Sequence, residues 1–445
     1  MGLMSESKLE MVRALIGQAP DSAIRSLLLA LSADEGHDEG LTRVHAMIEA
    51  EASDRRARNM AFSPIAPLCV EPGPFTGLCF PPRTLSLIWK ALKTEAPEEI
   101  RAAKALAADW RAEESSPELF DRLCARAAAR LELGGGAFAS AAEAADTGAG
   151  REALAACLDI APVTRRALDQ MPEWLGRMTS EKAAKLRLAY RDAVAVADDA
   201  GPRFFEMLAA HLTEPWLILR VISGVMDRPN ETYLAGSELA GFGERVLADI
   251  DRRLAEVVAF KSTSGRQTAH AVAAAVHTIT IQIAEIEQSI NLTPEGPWGR
   301  RLAVQKHALA TSIEGHLKAA NDAVHIALPV QTKRMGPRAA KGIPRLTHDP
   351  DPVLVEKAAT LLTFMSEVRA SAPAGGFASA RAKTLESLEH RLDTYVEDVL
   401  EEIRTPDGAV DPERARAYLE IAAEFCGLAR DEKSAQIVRR RAAAA

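Results

Sequence analysis

The chain has 445 residues, of which 47% are apolar and 26% are charged. This length and apolar content exclude a disordered protein and allow two or three domains with buried cores. The formal net charge of −8 excludes a global attraction to phosphate backbones or anionic lipid, so any such contact would need a local basic patch.

Amphipathic helices are predicted in the first part of the chain, over residues 9–16, 24–31 and 41–60. The third of these has a basic surface near its end, formed by Arg55, Arg56 and Arg58. The segment 61–83 then carries six prolines among apolar residues, which predicts an extended segment pressed against helices. More helices are expected up to Leu133, so we predict an N-terminal helical domain over residues 1–133.

Small residues fill the next segment, residues 134–150, which begins with Gly134–Gly136. This composition predicts an Ala/Gly-rich linker. Residues 151–236 are predicted to be a middle helical region, and residues 243–445 a C-terminal helical bundle. The first helix of that bundle either continues through residues 261–267 with a shift of the heptad phase or breaks at Gly265.

A heptad spacing is the strongest pattern in the chain. Six β-branched residues follow one another at intervals of four and three: Val272, Val276, Ile279, Ile283, Ile286 and Ile290. A turn at 293–297 and a returning apolar face from Leu309 to Leu328 predict a long helical hairpin within an all-α, antiparallel bundle. An apolar seam needs a partner helix. The six residues are therefore candidate partner-binding residues, covered either by the returning face or by a second chain.

A basic segment between residues 333 and 345 contains no acidic residue. Its five cations are Lys333, Arg334, Arg338, Lys341 and Arg345. Neighbouring glycines and prolines predict a loop that could contact phosphate, anionic lipid or an acidic protein surface. A solvated connection is the alternative, and nucleic acid is an unlikely partner because the segment has no interleaved aromatic residues for base stacking.

Metal chemistry has weak support in the sequence. Five histidines fall in the predicted hairpin: His270, His277, His307, His316 and His325. A helical di-iron site would need two Glu-x-x-His pairs, and only Asp322-x-x-His325 is similar. The His-Asp pairs at 37–38 and 348–349 could hold a divalent ion, but both lie in predicted loops. We therefore assign no catalytic, metal or cofactor residue.

Two further features bear on the location of the protein. Five scattered cysteines do not make a disulfide framework, and no run approaches the roughly 20 apolar residues of a membrane span. We expect a cytoplasmic protein without a transmembrane segment, and its alanine and arginine usage is typical of a GC-rich bacterium.

The predicted function is that of a non-catalytic helical scaffold or adaptor. It would bind a protein partner, or a second copy of itself as a homo-oligomer, through coiled-coil helix contacts. One alternative is an all-α metal-dependent enzyme acting on a phosphorylated or lipid-like substrate. The other is an anion-binding regulator that uses the basic segment 333–345.

Overall fold

The computed structural model describes residues 6–32, 39–108, 118–197, 199–226, 228–334, 340–404 and 411–445. The chain is 78% helical, with 19 α-helices and one two-stranded sheet in these ranges, so the predicted all-α class is confirmed. Contacts divide the chain into two compact units, Met1–Arg228 (unit 1) and Pro229–Ala445 (unit 2). The domain boundaries predicted from the sequence lie at other positions, at 134–150 and between 236 and 243.

Unit 1 is built from eleven helices in its described ranges. They are α1 (Glu6–Gln18), α2 (Asp21–Ser32), α3 (Glu39–Ala61), α4 (Thr84–Glu95), α5 (Pro97–Ala108), α6 (Glu118–Leu133), α7 (Ala139–Asp146), α8 (Arg151–Leu175), α9 (Ser180–Val194), α10 (Ala200–Ala210) and α11 (Ile218–Met226). A small core of Ile16, Ile24 and Ile48 joins α1, α2 and α3. The larger core surrounds α8, which packs against α6, α9 and α10.

The proline-rich segment 61–83 is buried in part, whereas residues 70–74 are exposed. It contains a 3₁₀ turn at Ala66–Leu68, and the side chains of Phe62, Ile65 and Phe80 are buried. The backbone N–H of Phe80 donates a 2.8 Å hydrogen bond to the carbonyl oxygen of Leu68, which closes the segment on itself.

The segment 134–150 differs from the predicted linker. It holds a 3₁₀ turn at Gly136–Phe138 followed by α7, and Phe138 and four alanines of α7 are buried. Alanine is the best helix former, and its small side chain lets α7 lie close to α4 and α8. An alanine-rich composition therefore serves a packed helix here, although it also suits a linker.

Unit 2 contains eight helices and a β-hairpin in its described ranges. The helices are α12 (Glu231–Ala235), α13 (Ala240–Ala259), α14 (Arg266–Ser289), α15 (Pro297–Ala327), α16 (Pro352–Glu367), α17 (Ala378–Arg404), α18 (Pro412–Ala429) and α19 (Glu432–Ala444). Strands β1 (Val330–Arg334) and β2 (Ala340–Pro344) pair antiparallel between α15 and α16, with Val330 opposite Pro344.

The structure has two separate helices where the sequence allowed one continuous helix through residues 261–267. Helix α13 ends at Ala259 and α14 begins at Arg266, with a 3₁₀ turn at Ser262–Ser264 between them. Gly265 has a φ of 82°, a backbone conformation that a residue with a Cβ adopts only with strain. Of the two alternatives from the sequence, the break at Gly265 is therefore the one observed.

The long helices of unit 2 are arranged differently from the predicted hairpin. Helix α13 contacts α14 and α15, and α16 contacts the same two helices on their other side. Helices α14 and α15 are joined by a short turn, but each of them contacts α13 and α16 more extensively than it contacts the other. Each has an apolar face wide enough to need two neighbours, and α13 and α16 supply them.

A buried carboxylate fixes the start of α15. Glu231 is fully buried and accepts hydrogen bonds from the backbone N–H of Thr293, Trp298 and Gly299, at 2.8, 2.6 and 3.2 Å. The Thr293 hydroxyl donates a fourth bond at 3.1 Å. Burial alone would raise the pKa of Glu231, but these donors outweigh it and the pKa lies below its ordinary value. The carboxylate also neutralises the positive end of the helix.

Helix caps of unit 2 follow the sequence more directly. The Asp411 side chain accepts a 3.0 Å hydrogen bond from the backbone N–H of Glu413, and Pro412 occupies the first turn of α18. This is the cap predicted from the sequence Asp411–Glu413. Asp351 caps α16 in the same way.

Candidate functional site

The six residues of the heptad seam lie inside unit 2. Val272, Val276, Ile279, Ile283, Ile286 and Ile290 are each at most 6% exposed. The returning face of α15 is buried as well, and α13 and α16 each contact both α14 and α15. In this conformation the seam presents no surface to a second chain, and its role in binding a partner stays a prediction.

Helix α14 also bears on the membrane. Among the described residues it is the one helix that is long and apolar enough to cross a bilayer, judged by length and composition alone. Within its most apolar stretch, 61% of the residues are buried inside the chain. The core helix of a globular unit passes the same test, so this helix by itself does not indicate a membrane span.

Where it is described, the basic segment contributes residues 333–334 to β1 and 340–344 to β2, whereas a loop was predicted. Lys333 lies directly opposite Lys341, and β-branched residues on both strands favour the extended backbone. The ammonium of Lys341 pairs with Asp398 at 3.1 Å and Glu401 at 2.9 Å, both on α17. This cation is therefore already engaged by carboxylates of its own chain.

The other cations of the basic segment are placed less completely. Arg345 is exposed, and its backbone N–H donates to the carbonyl oxygen of Pro329. Lys333 and Arg334 are described by their backbone positions in β1, and Arg338 lies outside the described residues.

The histidines of the predicted hairpin do not converge. His270 faces Glu367 at 3.3 Å, and His277 lies 3.3 Å from the hydroxyl of Ser371. His316 contacts the carbonyl oxygen of Val257 at 2.9 Å. In the described part of the chain, no group of three His, Cys, Asp or Glu side chains could hold a metal ion. The pair at 37–38 lies outside the described residues.

Unit 1 contains an open groove with a volume of about 750 Å³. We call it the unit 1 groove. Helices α2, α3, α5, α6 and α8 contribute to its walls. Its main apolar side chains are Ile24, Leu28, Met60, Leu106 and Phe120, and its charged ones are Asp21, Arg25, Arg55, Arg56, Arg165 and Asp169. This volume is within the roughly 300–1,000 Å³ of typical ligand sites.

Two arginines of the groove hold its walls together. Buried Arg55 donates to the carbonyl oxygens of Ile16, Gly17 and Ala19 at 2.9, 3.2 and 2.6 Å, which caps the end of α1. It also pairs with Asp21 at 2.8 Å. An arginine that binds terminal helix carbonyls offsets their negative partial charge, so Arg55 is a structural residue.

Arg165 performs the same task at the end of α3. Its guanidinium donates to the carbonyl oxygens of Met60 at 2.8 Å and Ala61 at 2.7 Å, and it pairs with Asp121 at 3.2 Å. Its Cζ lies 5.8 Å from the centre of the Phe120 ring. These bonds tie α8 to α3 and α6, so the groove has rigid walls on this side.

Two other arginines of the groove are unengaged. Arg25 and Arg56 are exposed, and neither has a hydrogen-bond or ion-pair partner among the residues that the structure describes. Met60 beside them is 41% exposed despite its apolar side chain. The groove therefore offers apolar surface next to guanidinium groups that are available to an anionic partner.

A second polar cluster lies on the opposite part of α3. Asp54 is 7% exposed and pairs with Lys93 at 2.7 Å and Lys104 at 2.6 Å. Burial alone would raise the pKa of Asp54, but hydrogen bonds from Lys104, Lys93 and Trp89 outweigh it, so the pKa is lowered. The charged carboxylate, paired with both lysines, joins α3 to α4 and α5 and is poorly suited to accept a proton in catalysis.

The proline-rich segment forms a small cavity of its own, of about 190 Å³, between residues such as Pro67 and Phe75 and the end of α10. Its volume is below that of most ligand sites. Cys69 is buried beside it, and burial raises the pKa of that thiol to about 12, so the thiol is unreactive at neutral pH.

Sequence reasoning pointed to one part of the groove and missed the rest. The basic end of α3 was visible as Arg55, Arg56 and Arg58. In the structure these three side chains differ: Arg55 is buried, Arg58 donates to the hydroxyl of Ser86 at 2.8 Å, and Arg56 has no partner within the described ranges. No periodicity connects them with Arg25 or Phe120, which come from other helices.

Comparison of the chain with models of protein families, with curated proteins and with solved structures found no match in any of the three. Function is therefore inferred from the geometry of the chain itself.

Proposed function

We propose that this protein is a non-catalytic helical scaffold or adaptor that binds a protein partner through the unit 1 groove. The observation that carries the proposal is the groove itself, where exposed apolar surface lies beside two arginines with no partner in the described chain. Apolar surface rimmed by polar groups is typical of interaction sites.

The first helices of unit 1 also carry exposed apolar side chains. Met11 and Leu15 on α1 and Leu27 and Leu29 on α2 are 43–75% exposed, and Met60 on α3 adds to them. Single exposed apolar residues are common on protein surfaces, but several of them on three consecutive helices are typical of a surface that contacts a partner. The proposed partner-binding surface therefore lies in unit 1, whereas the sequence analysis placed it on the seam of α14.

The anion-binding alternative has less support. Lys341 is neutralised by Asp398 and Glu401, which leaves fewer free charges on the hairpin than the sequence suggested. An exposed ion pair also competes with any phosphate that would bind there.

Site-specific photocrosslinking tests the proposed function. A benzophenone amino acid is placed at Asp169, which is exposed in the groove, and separately at Arg187, which is exposed on α9 away from it. In living source cells we expect a discrete adduct from Asp169 and none from Arg187. A second copy of this 47.9 kDa chain as partner would double the mass. Equal adducts at both positions, or none at Asp169, would refute the function.

A further inference from the structure

We propose that the partner segment received by the unit 1 groove is an acidic amphipathic α-helix, which inserts its apolar face between α2, α3 and α6 and places carboxylates against Arg25 and Arg56. This inference rests on the proposed function and specifies the chemistry of the partner.

The apolar part of the groove has the depth that anchor side chains need. Ile24 is 2% exposed and Phe120 is 5% exposed at its base, whereas Met60 is 41% exposed at its edge. A leucine or isoleucine that enters the groove would contact Ile24 and Phe120 and cover Met60. Burying one such side chain contributes about 1.5–3 kcal/mol.

The charges of the groove select an acidic partner. Asp21 is engaged by Arg55 at 2.8 Å and by the amide of Asn59 at 3.3 Å, so its negative charge is offset. Arg55 and Arg165 are committed to backbone carbonyls. Among the charges lining the groove, the unengaged ones are then Arg25, Arg56 and Asp169.

This local excess of positive charge stands out in a chain whose net charge is −8. Charge complementarity of this kind selects partners and speeds their association more than it adds affinity. An acidic segment would be attracted to the arginines of the groove, whereas acidic side chains elsewhere on the protein would repel it.

The walls of the groove favour a helix as the form of the partner segment. All of the elements that line it are helices or the turn that follows α3, and the described part of unit 1 has no strand whose edge could pair with an extended peptide. Recognition in a groove between helices uses apolar anchors at intervals of three and four residues on one face of a bound helix.

A designed peptide tests the inference on the full-length protein. The probe is an 18-residue fluorescent peptide with leucines at intervals of three and four and glutamates on the flanks of that face. Two controls are matched to it: one carries lysine in place of each glutamate, and the other carries serine in place of each leucine. Fluorescence anisotropy at low salt should give micromolar binding of the acidic peptide and binding at least tenfold weaker for each control.

Charge reversal locates the binding site. The double variant Arg25→Glu, Arg56→Glu should bind the acidic peptide at least tenfold more weakly, and 0.5 M salt should weaken wild-type binding as well. The matched double variant Arg177→Glu, Arg187→Glu changes two exposed arginines of unit 1 outside the groove and should stay within twofold of wild type. All four substituted side chains are exposed, and circular dichroism melting confirms that both variants fold.

Several outcomes would overturn the inference. If the glutamate and lysine peptides bind equally well, the groove does not select an acidic partner. If both double variants lose affinity for the acidic peptide to the same extent, the groove is not the binding site. Displacement of the peptide by micromolar dodecanoate would identify a small anionic amphiphile as the occupant instead. If the acidic peptide fails while Asp169 still crosslinks to a protein in cells, the proposed function stands and only this partner chemistry is wrong.

Discussion

Glu231 offers the sharpest test of how unit 2 is held together. We expect Glu231→Ala to destabilise unit 2 and to unfold the first turn of α15 more often than the rest of that helix. The reason is that three backbone N–H groups at 293, 298 and 299 would lose the only acceptor shown for them in the described chain.

The magnitude follows from the hydrogen bonds. Leaving a buried donor without a partner costs about 1–3 kcal/mol, and water entering the space left by Glu231→Ala would recover part of the total. We therefore expect Glu231→Ala to lower the free energy of unfolding by about 3–5 kcal/mol. Glu231→Gln keeps the volume and one acceptor oxygen but turns an amide N–H₂ toward the donors. Its cost should be about 2 kcal/mol.

The pH dependence has a defined sign. The pKa of Glu231 is lowered in the folded state, so its carboxylate stabilises unit 2 fully above the ordinary value of 4.5. This contribution is lost as the pH falls through 4.5 toward the lower pKa of the folded state. The difference in stability between wild type and Glu231→Gln should therefore be constant at neutral pH and shrink below it in acid.

Urea denaturation followed by circular dichroism measures these differences, and hydrogen exchange with mass spectrometry locates them. Glu238→Gln is the matched control, since Glu238 is an exposed glutamate on the same segment. It should change the unfolding free energy by less than about 0.5 kcal/mol. If Glu231→Gln is as stable as this control at neutral pH, or if peptides covering residues 297–302 keep full protection in Glu231→Ala, the reasoning is refuted.

Three further substitutions test other contacts, each by urea denaturation. Gly299→Ala should cost about 3 kcal/mol, because its Cβ would clash with the Thr293 carbonyl oxygen, whereas Gly315→Ala in the open middle of α15 should stabilise by about 0.5–1 kcal/mol. Ile279→Ala should cost about 2–5 kcal/mol because that side chain is fully buried in the seam. Arg55→Met should cost about 2–3 kcal/mol and expose the amides of α1 to exchange, since three carbonyl bonds are lost.

Each of these has an outcome that contradicts it. Equal stability of the two alanine variants on α15 would mean that the approach of Gly299 to Thr293 is looser than described. A stable Ile279→Ala protein with altered self-association, measured by light scattering, would restore the seam as a partner surface. Unchanged exchange of α1 in Arg55→Met would show that the small core of Ile16, Ile24 and Ile48 holds this helix by itself.

Local patterns were sufficient where one segment decides its own structure. The cap at Asp411 depends on residues two positions apart, whereas the choice between a continuous helix and a break at Gly265 stayed open in the sequence. The seam of α14 was recognised as a buried face because the spacing of its β-branched residues is a property of one helix. Even so, the pattern could not say which helix covers it.

The remaining features needed distant residues. The segment 134–150 has the same composition whether it is a linker or a packed helix, and its burial depends on α4 and α8. The basic segment was expected to be a loop because pairing between β1 and β2 leaves only a weak trace in composition. The groove joins Arg25 to Asp169 across 144 positions of the chain, a distance that no periodicity spans.

By itself the sequence determined that this protein is made of helices and which side of each helix is apolar, because hydrogen bonds and side-chain spacing within a helix are local. Only the tertiary structure decided that α13 and α16 pack against α14, and that Arg55 is buried while Arg56 has no partner among the described residues. The physical reason is that burying an apolar face stabilises a helix whichever neighbour covers it, so the choice among neighbours depends on how all the helices pack together.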